Sequence, residues 1–253
     1  MAPGADPVAS WSSITAPVLV VGRGVRPEAV NAAACTAAGL GVLHRRSGGG
    51  PVLWDAGLLA LDVVLPPDHP LADRDVTRAY AWIGMAIARA LRALDVPATA
   101  ISLADARVAQ ARSDAVSLLA ARACFGGISP FEVIGPDGRK CVGLSQVRRR
   151  QGALFQCGIA LEFDAGSLAR ALAPDPADSG RLADALRLRA CGVREYQPRL
   201  THAAVIASVE QALLAQVGVQ LRGDELSAGE IARQAALAVG SVAGDAAWPT
   251  GTA

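Results

Sequence analysis

Several absences narrow the possibilities before any motif is considered. No apolar run in the 253 residues reaches the roughly 18–20 residues that a membrane helix needs. The N-terminal stretch MAPGADPVASWSS lacks the charged and apolar regions of a secretory signal. No C-x-x-C pair or zinc spacing links Cys35, Cys124, Cys141, Cys157 and Cys191, so no metal site is predicted. An odd number of cysteines without a signal reads as reduced thiols, and the expected location is the cytoplasm, with no membrane partner. A net charge of +1 excludes the basic field on which a general nucleic-acid binder depends. Aromatic residues make up only 4%, against abundant Ala and Arg, the coding bias of a GC-rich genome.

What is present is globular: 52% apolar and 19% charged residues, ample for a core. Residues 1–16 are rich in Pro, Ala, Gly and Ser and are expected to be loose. Strands are predicted at 17–22, 42–46, 52–54 and 59–65. A helix is predicted at 27–38 and a strongly amphipathic one at 74–94, stopped by Pro97. Residues 116–123 are ambiguous. Phe131–Ile134, the turn Gly135-Pro-Asp-Gly138 and Lys140–Val147 form a hairpin signature, followed by a strand at 153–163. Helices are expected at 165–172, 181–190, 202–217 and 226–237. Residues 17–217 thus read as one catalytic domain, and 218–253 as a short helical C-terminal extension with a frayed tail. Mixed strands followed by helices, without βαβ alternation, define an α+β class: a mixed β-sheet flanked by helices.

Three segments have chemical potential. Gly22-Arg23-Gly24 follows a strand, but a dinucleotide fingerprint requires glycine at position 27, which is Pro27. In Arg45-Arg46-Ser47-Gly48-Gly49-Gly50, three glycines leave backbone N–H groups free to converge on an anion, and the arginines add fork-shaped donors. The same segment also suits a flexible turn flanked by solvated charge. No G-K-[ST] follows, so it is not a P-loop. In Gly138-Arg139-Lys140-Cys141-Val142-Gly143, strand alternation places Lys140 with Val142, and Cys141 with Gly143 on the other face. A lysine in an apolar strand must be paired or face a cleft, unless it reaches into solvent from the turn.

Together these segments resemble the lipoate–protein ligase family. Its R-R-x-S-G-G-G-x-V-x-x-D-x-G segment matches Arg45 to Gly57, one residue shorter, with Asp55 at the acidic position. Its G-R-K-x-x-G-x-A-Q-x-R segment matches Gly138 to Arg148, with Lys140 and Gly143 in place. Upstream, Gly22-Arg23 to Pro27 and Asn31 resemble its strand and helix entry, and the similarity spans about residues 17–217. The resemblance implies the mixed α/β domain that the family shares with biotin ligases. It also implies a buried tunnel for lipoate or octanoate, and transfer of the acyl group to a lysine of a carrier domain. Gly48, Gly49 and Gly50 would cradle the intermediate, with Ser47, Asp55 and Gly143 as binding positions in the same segments. Arg45 or Arg46 would support its charge, and Lys140 would donate to the reacting oxygens.

The segment Ala123-Cys124-Phe125 with Ser129-Pro130-Phe131-Glu132 is similar to that around the acyl-accepting cysteine of one octanoyltransferase branch. Two routes are therefore implied: a ligase working through an acyl-adenylate with ATP and Mg2+, or an ATP-independent transferase using a Cys124 thioester. In the second, Lys140 is the candidate cation for the sulfur. Lipoyl carrier domains of 2-oxoacid dehydrogenase E2 or of the glycine cleavage H protein are the implied acceptors, and acyl carrier protein a candidate donor. The chain also departs from the pattern: Trp54 and Cys157 stand where the family has histidines, and Leu58 where it has asparagine. The opening strand and the N-x-A-x-E-E helix have no evident counterpart, and an accessory domain has no room. These departures leave a catalytically degenerate acyl-binding homologue, or a biotin ligase, as further readings.

Overall fold

The computed structural model describes residues 6–218. In chain order its strands are β1 Val8–Ser13, β2 Val18–Val21, β3 Gly41–His44, β4 Val52–Trp54, β5 Leu58–Leu65, β6 Thr99–Ala100, β7 Val133–Ile134, β8 Lys140–Arg149 and β9 Gly152–Ala160. The helices are α1 Ala32–Ala37, α2 Ala81–Ala93, α3 Leu103–Gln110, α4 Ala115–Ala120, α5 Ala165–Leu172, α6 Pro176–Arg187 and α7 His202–Val217. A six-stranded antiparallel sheet has the order β1-β5-β9-β8-β7-β6; a three-stranded sheet has the order β3-β2-β4, with β2 and β3 parallel. This is the α+β arrangement that the sequence predicts. Among the described residues no helix is long and apolar enough to cross a membrane.

Strand alternation divides the large sheet. Leu59, Leu61 and Val63 of β5 and Phe155, Cys157 and Ile159 of β9 join one buried cluster with Ile83, Ile87 and Leu91 of α2 and Val205, Val209 and Leu213 of α7. The opposite face carries three cross-strand rows, set by register. Val8–Val64–Leu154–Val147 is apolar, Ser10–Asp62–Gln156–Ser145 is polar, and Ser12–Ala60–Gly158–Gly143 has only small side chains.

Several expectations are corrected. Residues 8–13 are not loose: VASWSS pairs along its whole length with β5, and Trp11 Nε1 donates to Glu210 of α7 at 3.1 Å. A strand therefore does precede β2. The helix predicted over 27–38 is split. Pro27–Ala29 forms a 3-10 turn, Val30 is extended, and Asn31 restarts the chain as the α1 cap, its Oδ1 accepting from Ala34 N. The long helix starts as a 3-10 turn at Arg78 rather than at Arg74. Asp75 Oδ1 accepts from the Thr77 and Arg78 N–H groups, a local alternative to the helical pattern. Helix α3, capped reciprocally by Ser102 and Asp105, was not foreseen, and α6 begins earlier than predicted, at Pro176 after the Asp175 cap. The helix expected at 226–237 lies outside the described residues.

Gly84 shows how tightly α2 is seated. A Cβ there would lie 2.0 Å from the Phe131 carbonyl oxygen, whereas Gly180 of α6 has nothing within 4 Å. Gly84→Ala is expected to lower unfolding free energy by about 1–3 kcal/mol through overpacking. Gly180→Ala is expected to raise it by about 0.5–1 kcal/mol through helix propensity. Urea denaturation of both variants checks the contrast.

Candidate functional site

Three backbone segments meet where glycine is the residue that fits. At the end of β2, a Cβ on Gly22 would come within 2.0 Å of Gly49 O. A Cβ on Gly50 would lie 2.8 Å from Cys124 N, which itself donates to Pro51 O at 3.0 Å. Gly49 has φ +103°, a conformation that side chains disfavour. Gly22, Gly49 and Gly50 thus hold β2, the glycine turn and the Cys124 segment against one another. Gly48 is exposed, with open space around it.

Cys124 opens a short 3-10 turn after α4 and is half-buried, while the other four cysteines are buried. Burial pushes the Cys157 thiol far up and the Cys141 thiol above the ordinary range. The Cys124 sulfur faces the Arg45 guanidinium, with Nη2 at 3.9 Å. Arg45 is weakly held elsewhere: Nη1 reaches Ser145 Oγ at 3.5 Å, Nη2 reaches Gly50 O at 3.4 Å, and its buried Nε has no partner. Ser47, 1% exposed, donates to Gln156 Oε1 at 2.7 Å and lies 3.4 Å from Ser145 Oγ. Gln156 Nε2 in turn points at Asp62 Oδ1 from 3.4 Å. A line of polar side chains therefore runs from the sulfur to a carboxyl. Burial raises the Asp62 pKa, opposed by the weaker Gln156 contact.

Lys140 lies behind this wall. It is 2% exposed and paired at 2.7 Å with Glu132, also 2% exposed. Its Nζ donates to Cys124 O at 3.0 Å and Gly127 O at 3.2 Å, and sits over the Phe125 ring. Three acceptors thus take its three ammonium protons. Glu132 is equally committed, accepting from Leu144 N on Oε1 and Ser129 N on Oε2. The cation in contact with the cysteine sulfur is Arg45, and Lys140 is bound to the same residue's carbonyl. This differs from the pairing expected from the sequence.

The facing of Lys140 also differs. The β7–β8 register slips by one residue between Val133↔Val142 and Ile134↔Lys140, inserting an extra residue into β8. Cys141 and Val142 both enter the helix-side core. The Lys140 chain instead shares the side of Gly143, where a Cβ would lie 3.5 Å from Lys140 Cε.

Cys124, Arg45, Gly143, Ser145, Gln156 and Asp62 line one cleft together with Val52, Trp54, Leu58, Phe125, Leu144, Cys157 and Gly158. Its closed volume is about 30 Å³, room for a water molecule or two. Leu58 fills the space over Gly158 in the small-residue row. Of the residues singled out in the sequence, Arg46 is exposed and makes no contact with the sulfur. Asp55 is not on this cleft: it caps the β4–β5 turn through Gly57 N, and burial and neighbouring Asp164 and Glu162 raise its pKa. Glu132, Gln156 and Asp62 are the residues that motif reading passes over. For Asp62 and Gln156 the signal was a polar residue at the same register within two apolar strands. Among the described residues no group of three or more His, Cys, Asp or Glu side chains is placed to hold a metal.

A cysteine-bearing cleft between a six-stranded antiparallel sheet and a small mixed one defines an α+β domain of the lipoate-ligase fold. Of this chain, 92% superposes on the bipartite lipoate protein ligase of Thermoplasma acidophilum, studied with its E2 lipoyl domain, covering 80% of that chain (TM-score 0.71, 20% identity). A lipoate-protein ligase A bound with ATP gives TM-score 0.69 at 17% identity, over 92% of this chain and 82% of that one. The chain belongs to the lipoyl protein ligase A/B catalytic domain family, whose model matches residues 4–214. Among curated relatives, octanoyltransferase LipM of Kyrpidia tusciae is 31% identical over 221 residues, 85% of this chain and 75% of that protein. Octanoyltransferase LipM of Brevibacillus brevis is 30% identical over 163 residues, 64% of this chain; the match spans only 56% of that relative's length.

Removing either partner of the buried Lys140–Glu132 pair leaves a buried charge uncompensated. Lys140→Met and Glu132→Gln are each expected to destabilise by about 3–5 kcal/mol, and the double variant by less than the sum. Chemical denaturation of the four proteins measures this coupling.

Proposed function

We propose that this protein attaches octanoyl or lipoyl groups to a lysine of a lipoyl carrier domain, by way of a thioester on Cys124. The observation that carries the reading is the Cys124 sulfur at a narrow cleft, 3.9 Å from a guanidinium that has no carboxylate partner among the described residues. The similarity to octanoyltransferases over most of the chain supports it.

In the first half-reaction the Cys124 sulfur adds to the carbonyl of an acyl thioester donor, such as an acyl carrier protein; the donor's C–S bond then breaks, and the proton of the Cys124 thiol leaves with the donor sulfur as a thiol. The carbonyl oxygen gains negative charge, and the Arg45 guanidinium beside the sulfur has donor capacity left to meet it. The acyl chain lies across the sheet along the small-residue row of Gly143, Gly158 and Ala60, which Leu58 and Phe125 now cover. Because the cleft is nearly closed, Leu58 and Trp54 must turn aside to admit it. Lys140 acts from behind, fixing the Cys124 and Gly127 carbonyls and so the direction of the sulfur. In the second half-reaction a lysine of the carrier, on an E2 or glycine cleavage H-type domain, takes the acyl group. Five free thiols agree with a reducing, cytoplasmic setting.

A second reading is supported by the exposed glycine turn at Gly48 beside the Arg45 guanidinium, a combination of backbone and cation suited to an anion. In it, lipoate and ATP with Mg2+ give an acyl-adenylate, as in a ligase.

Intact-mass spectrometry separates the readings. With octanoyl carrier protein and no ATP, the protein is expected to gain one octanoyl group, removable by hydroxylamine and absent in Cys124→Ala. Labelling of a lipoyl domain only when lipoate and ATP are supplied, and undiminished in Cys124→Ala, would favour the ligase. Acyl binding by calorimetry without product in any arm would favour a non-catalytic acyl-binding protein.

A further inference from the structure

The thioester route, on which this inference rests, leaves a proton to be removed. A carrier lysine arrives as an ammonium and must lose a proton before its nitrogen can attack. The residues that line the cleft include no histidine and no lysine; positions 54 and 157 are Trp and Cys. Cys157 is held as a thiol by burial. Behind the wall, Lys140 and Glu132 already spend their hydrogen-bonding capacity on each other, on two carbonyls and on two backbone N–H groups.

Asp62 is different. It is the one carboxyl among the lining residues, and the hydrogen bond it accepts from Gln156 Nε2 is long, at 3.4 Å. It stands mid-strand in β5, on the face that carries the cleft, between Ser10 of β1 and Gln156 of β9. A carboxylate in an otherwise apolar strand is costly to bury without a full set of partners. Its register places it in a polar row with Gln156 and Ser145, side by side with the small-residue row of Ala60, Gly158 and Gly143. A chain lying over that row, with Leu58 turned aside, would have the Asp62 row along its flank. The contacts from Cys124 through Arg45, Ser145, Ser47 and Gln156 end at this carboxyl.

We propose that Asp62 is the proton acceptor for the incoming amine, and that the amine approaches along the Asp62–Gln156–Ser145 side of the cleft. The Asp62 carboxylate takes one proton from the ammonium. The neutral nitrogen adds to the thioester carbonyl, forming the C–N bond, and the adduct expels the Cys124 sulfur as the C–S bond breaks. The second proton on nitrogen passes to the departing thiolate, leaving an amide and a thiol, and Asp62 returns its proton to solvent. A carboxyl whose pKa burial has raised is better matched to this task than an exposed one.

The test is made on the isolated thioester form, in single turnover. Asp62→Asn and Asp62→Ser are loaded from octanoyl carrier protein, freed of donor and mixed with a lipoyl domain. Transfer to lysine is expected to fall about 100-fold or more in both variants, the range for loss of a general base. Thioester formation, and its discharge by hydroxylamine, a nucleophile already neutral near pH 7, should stay within about two-fold of the parent. Transfer to lysine within about three-fold of the parent would overturn the assignment. So would an equal loss of hydroxylamine discharge, which would mark a distorted cleft instead. Failure of the parent protein itself to form a thioester would overturn the transferase reading, and the role of Asp62 with it.

Discussion

The buried pair between Glu132 and Lys140 is the interaction on which the site depends. Two charges removed from water repay their desolvation only when every remaining donor and acceptor is satisfied. Here all three ammonium protons and both carboxylate oxygens are engaged: the carboxylate takes Lys140, Ser129 N and Leu144 N, and the ammonium takes Glu132 and the carbonyls of Cys124 and Gly127. Those partners come from the Cys124 segment and from β8. The pair therefore fixes the cysteine segment against the strand that supplies Gly143 and Ser145 to the cleft. On its other side the same segment is pressed on the glycine turn, through Cys124 N to Pro51 O and the bare Cα of Gly50. Arg122, two residues earlier, ties it to Asp178 of α6 at 2.7 Å. A cysteine on a short 3-10 turn would be mobile without these three anchors.

This arrangement separates two cations that are close in the fold. Lys140 is saturated and structural in its contacts, while Arg45 is under-coordinated and faces the sulfur. The contrast follows from geometry. A lysine entering from the start of β8 behind Phe125 meets carbonyl oxygens. An arginine just beyond β3 crosses over the glycine turn and reaches the cleft from the opposite side. An under-satisfied guanidinium in a half-buried place is costly to keep, and a transient negative charge on the substrate is the kind of partner that would offset it.

Much of this was legible in the sequence where a local signal exists. The glycine run, the G-R-K hairpin, the cysteine segment and the helical periodicities of α2 and α7 are short-range patterns, and they single out Arg45, Gly143 and Cys124, which the fold brings to one cleft, with Ser47 and Lys140 bonded to its walls. What was not legible depends on pairing. VASWSS has no strand pattern strong enough to stand alone; it becomes β1 because β5 offers an edge. The facing of Lys140 depends on a register slip against β7 that strict alternation cannot anticipate. Asp62 and Gln156 are 94 residues apart and become neighbours only when β5 and β9 pair, so neither looks chemical in its own segment.

The positions where the sequence departs from its family's pattern look unrelated along the chain, but the fold makes them a group. Trp54, Leu58 and Cys157 all line the cleft that also holds Cys124 and Asp62. Indole and alkyl side chains in place of imidazole and amide remove hydrogen-bonding capacity from that wall and make it drier, while the Cys157 side chain belongs to the buried cluster on the helix side of the sheet. A drier wall strengthens the electrostatic effect of the polar groups that remain, namely Arg45 at one end of the polar line and Asp62 at the other. It also suits an apolar acyl chain lying between them. The departures therefore do not reduce the site to an inert remnant on physical grounds. They concentrate its charge chemistry in one guanidinium and one carboxyl, with the cysteine sulfur beside the first.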